Sequence, residues 1–164
     1  MPDAAPGPIR PTDEAARAQA RDLIDTARFA ALGVLSDGMP LVSRVALATD
    51  ASGTPVSLIS DLALHTGALR VTPACSLLLG EPGAKGDPLT YPRLTLQARA
   101  DFVPRDSTAH ITLRDRYLAL RPKSALYLDF ADFHFVRFVP VAAMLNGGFG
   151  RAFHLTPADL ILPS

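Results

Sequence analysis

The sequence lacks tryptophan, has one cysteine and contains no long hydrophobic run. A single cysteine, Cys75, excludes an internal disulfide and is compatible with the reducing cytoplasm, where we expect the protein to be located. Because no stretch of about 20 apolar residues is present, the sequence predicts no transmembrane helix and no membrane partner. The N-terminus has no basic region followed by an apolar one, so we predict no signal peptide.

An excess of charge of either sign is also missing. The 164 residues include 16 Lys and Arg and 16 Asp and Glu, so the formal charges cancel. This balance argues against nucleic acid as a partner. Apolar residues make up 48% of the chain, which is enough for a folded core. We therefore expect a flexible, proline-rich arm over residues 1–11 and a single domain over residues 12–164.

Short apolar runs separated by glycine and proline predict six to eight β-strands. The clearest covers residues 93–103, where apolar and polar residues alternate, while 134–139 and 141–145 are predicted as separate strands. Two helices are predicted, one capped by Thr12 and one capped by Asp106 or Ser107, together with one or two helical turns over 64–71. Because the strands are mostly consecutive, they favour antiparallel pairing, and the predicted fold class is mainly β with flanking helices, as a barrel or a sandwich.

Residues 41–70 contain the clearest indication of a binding site. Two β-rich runs flank a Ser-Gly-Thr-Pro turn, and a short helical segment follows at once. A helix N-terminus offers free N–H groups and the positive end of its dipole, and an arginine nearby can bind phosphate oxygens with two hydrogen bonds. We therefore predict an anion site formed by the polar residues of this stretch, which are Arg44, Ser60, Asp61, His65, Thr66 and Arg70.

These residues also have simpler interpretations. Arg44 could be an outward-facing strand residue, and His65 could be a surface histidine beside a helix cap. A Ser60–Asp61–His65 triad is disfavoured because no G-x-S-x-G motif is present. None of the four histidines has the spacing of a zinc site, and Cys75 lies in an apolar run. We therefore predict no metal site and an inert core thiol.

Two glycine-rich segments are candidates for loops with a function. Residues 80–92 form a long stretch rich in glycine and proline, and loops of that length in compact domains are often functional. The run N-G-G-F-G-R at 146–151 is compatible with a phosphate-binding loop or with a tight turn between strands. On the residues alone, the sequence predicts a β-rich domain with an anionic ligand.

Four stretches together resemble the FMN-binding split β-barrel proteins of the pyridoxamine 5′-phosphate oxidase group. Within that group the sequence is most similar to the haem-utilisation (HugZ-type) branch. The combination is specific and covers about residues 20–162. The stretches are S-R-V-A-L-A-T-D at 43–50, L-I-S-D-L-A-L-H-T-G-A-L-R at 58–70, G-D-P-L-T-Y-P-R-L-T-L-Q-A-R-A at 86–100 and N-G-G-F-G-R-A-F at 146–153.

The resemblance implies a homodimer with FMN at each subunit interface, acting as an oxidoreductase on a small or planar substrate. In such a protein Arg44 contacts the cofactor through its side chain, and Val45 and Ala46 through the main chain. His65 and Thr66 stand where the oxidases place an Arg-Lys pair for the phosphate, so the positive charge is lower. The other implied cofactor-binding residues are Ile59, Ser60, Arg70, Asn146, Gly148 and Arg151, with Arg93 and Gln97 from the facing subunit.

The chain departs from the oxidases at the substrate end. Their Arg-x-His motif near the C-terminus is replaced by R-A-F-H-L at 151–155, so pyridoxamine phosphate oxidation is not the first expectation. Leu94 stands where the oxidases place a glutamine that contacts the flavin. Arg151 and His154 are the candidates for a proton-transfer role near this segment. The alternatives are a non-enzymatic flavin- or haem-binding protein, and a β-barrel interaction protein without a cofactor.

Overall fold

The computed structural model describes residues 8–161, which form nine β-strands and three α-helices. The strands are β1 (Ile9–Arg10), β2 (Phe29–Ser36), β3 (Met39–Ala46), β4 (Ala48–Thr49), β5 (Pro55–Ser60), β6 (Ala74–Leu79), β7 (Arg93–Phe102), β8 (Phe133–Asn146) and β9 (Ala152–Leu155). The helices are α1 (Glu14–Thr26), α2 (Leu64–Val71) and α3 (Thr108–Leu120). Most of the predicted flexible arm, residues 1–7, lies outside the described residues, while β1 pairs in parallel with β9.

The strands form one sheet whose other ladders are all antiparallel. Its order is β1-β9-β8-β7-β6-β2-β3, and the first half of β8 also pairs with β5. No ladder joins β3 to β5 among the described strands, but the Ser57 hydroxyl of β5 donates to the Ala46 carbonyl of β3 at 2.6 Å. The sheet therefore closes as a split barrel, and the predicted mainly β fold with flanking helices is confirmed.

Helix α1 covers one end of the barrel core with small and apolar residues. It begins at Asp13, whose carboxylate accepts a hydrogen bond from the Ala16 N–H at 2.7 Å. The predicted cap, Thr12, is wrong by one residue, because its hydroxyl donates instead to the His154 carbonyl. The side chains of α1 that enter the core recur every four residues, as expected for one helical face. They are Ala16, Ala20 and Ile24.

The alternation predicted for 93–103 is confirmed in β7. Leu94, Leu96 and Ala98 are buried in the barrel core, while Gln97 and Arg99 between them are exposed. Because successive side chains of a strand point to opposite faces, the polar residues of β7 lie on the side of the sheet away from the core. This arrangement places them on the surface that carries the candidate site.

The two strands predicted over 134–139 and 141–145 are one continuous strand, β8. Pro140 lacks an N–H and its position was therefore expected to separate two strands. The register against β7 shifts between Gln97 and Ala98, which face Ala142 and Pro140, so Val141 is the extra residue of a β-bulge. A bulge tolerates proline because the ladder is already interrupted there, and β8 can continue across it.

A second apolar cluster lies outside the barrel, between β5, β8 and α3. Its centre is Phe135, whose ring lies 5.3 Å from that of Tyr117 and 5.2 Å from that of His110. Burial raises the pKa of Tyr117 to about 12. This cluster anchors α3 to the sheet and leaves α3 away from the strands β2, β3 and β6.

Gly80, at the end of β6, is expected to be intolerant of substitution. It has a φ of +98°, and an added Cβ would collide with the backbone carbonyl oxygen of Pro92. Gly38 also has a positive φ but has no atom near an added Cβ. We expect Gly80→Ala to lower the free energy of unfolding by about 3 kcal/mol and Gly38→Ala by about 1 kcal/mol, as measured by urea denaturation. Equal losses would contradict the close backbone approach at Gly80.

Candidate functional site

The candidate site lies on the outer face, defined as the side of β3, β2, β6, β7, β8 and β9 that points away from the barrel core. Residues directly opposite each other in an antiparallel ladder point to the same face. The registers therefore place one line of side chains across the whole width of the outer face. From β3 to β9 this line is Arg44, Ala31, Leu78, Thr95, Met144 and His154.

Five of the predicted cofactor-binding residues share this outer face. They come from β3, β7 and the end of β8, and strand pairing brings them onto one surface. They are Arg44, Ala46, Arg93, Gln97 and Asn146. Val45 and Ile59 instead place their side chains in the barrel core, where these side chains are not available to a ligand. The structure thus brings the β3 and β7–β8 groups together within a single chain.

Arg44 has no ion-pair partner among the described residues. Its guanidinium lies 5.2 Å from the centre of the Phe29 ring, and both line a cavity of about 350 Å³ on the outer face. Glu81 lines the same cavity. An incoming anion would therefore meet one cation and one carboxylate, which makes this cavity a weak site for a dianionic phosphate.

His65 and Thr66 lie behind the edge of β3, on the other side of this strand from Arg44. The Ser43 Oγ is 3.0 Å from His65 Nδ1, and burial lowers the pKa of this histidine, so it is neutral at pH 7. The Thr66 hydroxyl donates to the Ser60 carbonyl at 2.6 Å, and the residue is 1% exposed. Neither side chain therefore offers a positive charge or a free hydroxyl proton to an anion.

Arg70 and Asp61 belong to a separate polar cluster at the start of β8. Arg70 donates to Asp61 at 3.0 Å and lies 4.3 Å above the centre of the Phe102 ring. The Asp61 carboxylate also bonds to His134 Nε2 at 2.7 Å, and the hydrogen bonds from His134 and then Arg70 lower the pKa of Asp61. Asp61 therefore offsets the positive charge that was predicted to strengthen phosphate binding.

Ser60 does not form the disfavoured catalytic triad. Its hydroxyl donates to the Asp132 carboxylate at 2.6 Å and accepts the Leu62 N–H at 3.1 Å. Both bonds fix the turn between β5 and α2. The side chain of Ser60 thus has a structural role, while its carbonyl accepts the Thr66 hydroxyl.

The glycine-rich run 146–151 is a tight turn between β8 and β9. The Asn146 side chain accepts the Gly148 N–H at 3.1 Å, and the Gly147 N–H donates to the Arg151 carbonyl at 2.8 Å. Gly148 has a φ of +115° and Gly150 a φ of +67°, a region that only glycine adopts without strain. Of the two interpretations of this run, the structure favours the turn. The side chain of Arg151 remains exposed beside it.

A larger groove of about 510 Å³ also lies on the outer face. It crosses β2, β6, β7 and the bulge of β8, and most of its lining is small or apolar. Its polar lining residues are Ser76, Gln97 and Arg99. Cys75 also lines it; burial raises the pKa of this thiol to about 11, so it is protonated at pH 7 and unreactive.

Sequence reasoning missed the groove and the importance of Arg99. The alternation of β7 places Arg99 on the solvated side of a strand, but an exposed arginine on its own is an ordinary surface residue. Its neighbours in the groove come from β2 and the β-bulge at Val141, which are distant in sequence. The only signal that could have identified the site was the unusual number of small residues at outward positions of β2 and β6, such as Gly33 and Ala74.

The fold and the outer face define a split β-barrel protein with a largely uncovered sheet surface. The profile of the CREG β-barrel family matches residues 11–160, and the chain belongs to this family. The protein "Non-canonical heme oxygenase HOZ, chloroplastic" of Arabidopsis thaliana is 36% identical over 117 residues, which are 71% of this chain and 35% of HOZ. The chain therefore spans about a third of the length of this curated relative.

Solved structures support the same fold. A heme binding protein from Mycobacterium smegmatis is 27% identical with a TM-score of 0.79, over 93% of this chain and 61% of that one. A Clostridium acetobutylicum protein of the pyridoxinephosphate oxidase family is 12% identical with a TM-score of 0.67, over 91% and 99%. At 12% identity, the similarity to the Clostridium acetobutylicum protein shows only that the two proteins share a fold. The predicted resemblance to the oxidase group and its haem-utilisation branch is confirmed.

Residues 8–161 lack two other kinds of functional feature. No helix there is long and apolar enough to cross a lipid bilayer. No group of three or more His, Cys, Asp or Glu side chains in the same range is placed to hold a metal ion. The outer face is therefore the main candidate for a functional site in the described part of the chain.

Proposed function

We propose that this protein binds haem on the outer face of its sheet. The observation that carries the proposal is the combination, on one surface, of an apolar groove of about 510 Å³, the uncommitted arginine Arg99 and the exposed imidazole of His154. A flat, apolar macrocycle with peripheral carboxylates matches such a surface. The names of two relatives, at 36% and 27% identity, refer to haem, and this supports haem as the ligand of this protein.

FMN fits the described residues less well, because its phosphate needs a concentration of positive charge. Of the three residues predicted to hold the phosphate near α2, Arg70 is paired with Asp61, Thr66 has its hydroxyl bonded to Ser60, and His65 is neutral at pH 7. Arg44 is left as the one cation, with Glu81 in the same cavity. Haem carries separated carboxylates, each of which needs only one partner cation.

His154 is the residue that would hold the iron. It lies on the outer face opposite Met144 in the β8–β9 ladder, and none of the side-chain hydrogen bonds among the described residues involves its imidazole. Ladder spacings place His154 about 8 Å from Ala142, beside Val141 of the groove. An imidazole is an ordinary haem ligand. When bound, haem would supply a redox-active iron, while the protein supplies its ligands and its orientation.

We further propose that a second copy of the chain packs against the outer face and gives a homodimer with haem at the interface. No helix covers the strands β2, β3, β6 and β7 on this side in the described part of the chain. Exposed apolar side chains are spread over it, namely Leu35, Val42, Leu78, Val139 and Val141. Several exposed apolar side chains on one face of a sheet are typical of an interface.

An FMN-dependent oxidoreductase acting on a small or planar substrate is the second candidate, and one observation favours it. Helix α2 begins at Ala63 without a side-chain cap, so amide N–H groups at its N-terminus are free to bind an anion. The bond between His65 and Ser43 places this N-terminus beside β3, one residue from Arg44. A cytoplasmic location remains a prediction for either candidate.

The two candidates are separated by titrating the purified protein with haem and with FMN, each followed by desalting and an absorption spectrum. We expect a haem band that stays with the protein after desalting, and no retained FMN. Retained FMN without retained haem would overturn the proposal and favour the flavoprotein. Retention of neither would leave the interaction protein without a cofactor as the function.

His154→Ala is expected to shift the haem absorption band and to weaken haem binding at least about tenfold, because the iron loses a ligand. His65→Ala is the matched control. It removes an imidazole that lies behind the β3 edge, and it should leave the band unchanged. An identical spectrum for His154→Ala and the unaltered protein would show that another residue holds the iron.

A further inference from the structure

We infer that the outer-face groove binds a carboxylate of an amphipathic planar ligand, with Arg99 as the partner of that carboxylate. The inference rests on the proposed haem function and deepens it, because it assigns the orientation of the ligand. The apolar edge of the ligand lies over the groove, and one carboxylate reaches the guanidinium of Arg99.

The lining of the groove is complementary to such a ligand. Gly33, Leu35 and Val141 provide apolar surface, and the small residues leave room for a flat ring. Arg99 and Gln97 provide hydrogen-bond donors at one side. No Asp or Glu belongs to the lining, so a carboxylate would meet donors without meeting a like charge.

Arg99 differs from most arginines of the described chain because its guanidinium has no protein partner there. Five others form ion pairs with carboxylates, in the pairs Arg17–Asp159, Arg21–Asp25, Arg70–Asp61, Arg114–Asp129 and Arg137–Asp50. The nearest carboxylate along β7, Asp101, is two residues away and forms no ion pair with Arg99 among the described residues, while Arg137 opposite it is paired with Asp50. Arg99 is therefore available to a ligand.

Arg99 needs an anionic partner once a ligand or a second copy of the chain covers the groove. If a ligand or a second copy removes water from Arg99, an unpaired guanidinium in the resulting interface is strongly unfavourable. A carboxylate that accepts two parallel hydrogen bonds from the guanidinium removes this penalty. One guanidinium matches a singly charged carboxylate better than a phosphate dianion.

The test compares haem with haem dimethyl ester, which has the same ring and no free carboxylates. We expect the unaltered protein to bind haem about tenfold to a hundredfold more tightly than the ester, the range for a charge-assisted hydrogen bond. Arg99→Gln should lose most of this preference while its ester affinity stays the same. Arg99→Lys should keep part of the preference, because it retains the charge without the planar fork.

Lys123→Gln is the control for loss of one positive charge, because Lys123 is exposed beyond α3 and away from the outer face. It should keep the full preference for haem. An Arg99→Gln variant with the preference of the unaltered protein would overturn the inference and leave the haem function intact. If the unaltered protein binds neither compound, the haem function fails and the inference fails with it. A thermal unfolding curve for each variant separates loss of binding from loss of folding.

Discussion

Replacing Val42 with glutamate is expected to give a monomer that no longer retains haem. Val42 is 68% exposed on β3, on the outer face, and lies opposite Gly33 of the groove. In the proposed homodimer a glutamate there would lose its hydration, which is unfavourable by several kcal/mol even with Arg44 on the same face. Because each 1.4 kcal/mol changes an equilibrium constant tenfold, we expect the dimer dissociation constant to rise at least about a hundredfold.

Leu126→Glu is the matched control for this prediction. It introduces the same side chain at an apolar residue that is 79% exposed, but in the segment Pro122–Leu126 beyond α3 and away from the groove. Its mass in solution and its haem retention should equal those of the unaltered protein. Light scattering coupled to gel filtration measures the mass. A Val42→Glu protein that remains dimeric would show that the outer face is not the interface.

Phe135→Ala is expected to have the largest effect on folding. Phe135 is 0% exposed at the centre of the second cluster, with the rings of Tyr117 and His110 packed against it. Truncating a fully buried phenylalanine leaves a cavity and lowers the free energy of unfolding by about 3–5 kcal/mol. Since small domains have only about 5–15 kcal/mol in total, the variant should be close to unfolded at 37 °C.

Phe130→Ala provides the comparison, because Phe130 is 56% exposed and lies outside the buried cluster. It should lose less than about 1 kcal/mol in the same chemical denaturation experiment. The haem affinity of the folded fraction should be unchanged in both variants, since no residue of the cluster lines the groove. Similar losses at the two positions would contradict the assignment of Phe135 as the centre of this core.

Much of the fold was predictable because local patterns agree with the tertiary structure. The alternation over 93–103 and the helix predicted near Thr12 each correspond to an observed element, β7 and α1. The continuity of β8 was not predictable, because Pro140 interrupts the pattern and only the pairing with β7 shows that a bulge accommodates it. The helical segment predicted over 64–71 is confirmed as α2.

The candidate site was predictable only in part, because its residues depend on contacts between distant segments. The sequence places Arg44 in a strand and Arg99 on a solvated face, but it does not show that one surface carries both. Arg70 is the reverse case, because the sequence suggested it as a site residue and the structure pairs it with a carboxylate. Its position after a helix start suggested a phosphate ligand, whereas its carboxylate partner Asp61 is itself fixed by His134, a residue from the far end of the chain.

Sedimentation velocity of the haem-loaded protein, recorded at a haem absorption wavelength, tests the central claim most directly. It measures in one experiment whether haem is bound and how many chains carry it. We predict that the haem absorbance sediments as a single species with the mass of two chains. Haem absorbance that stays at the sedimentation rate of free haem, while the protein sediments without it, would contradict the account.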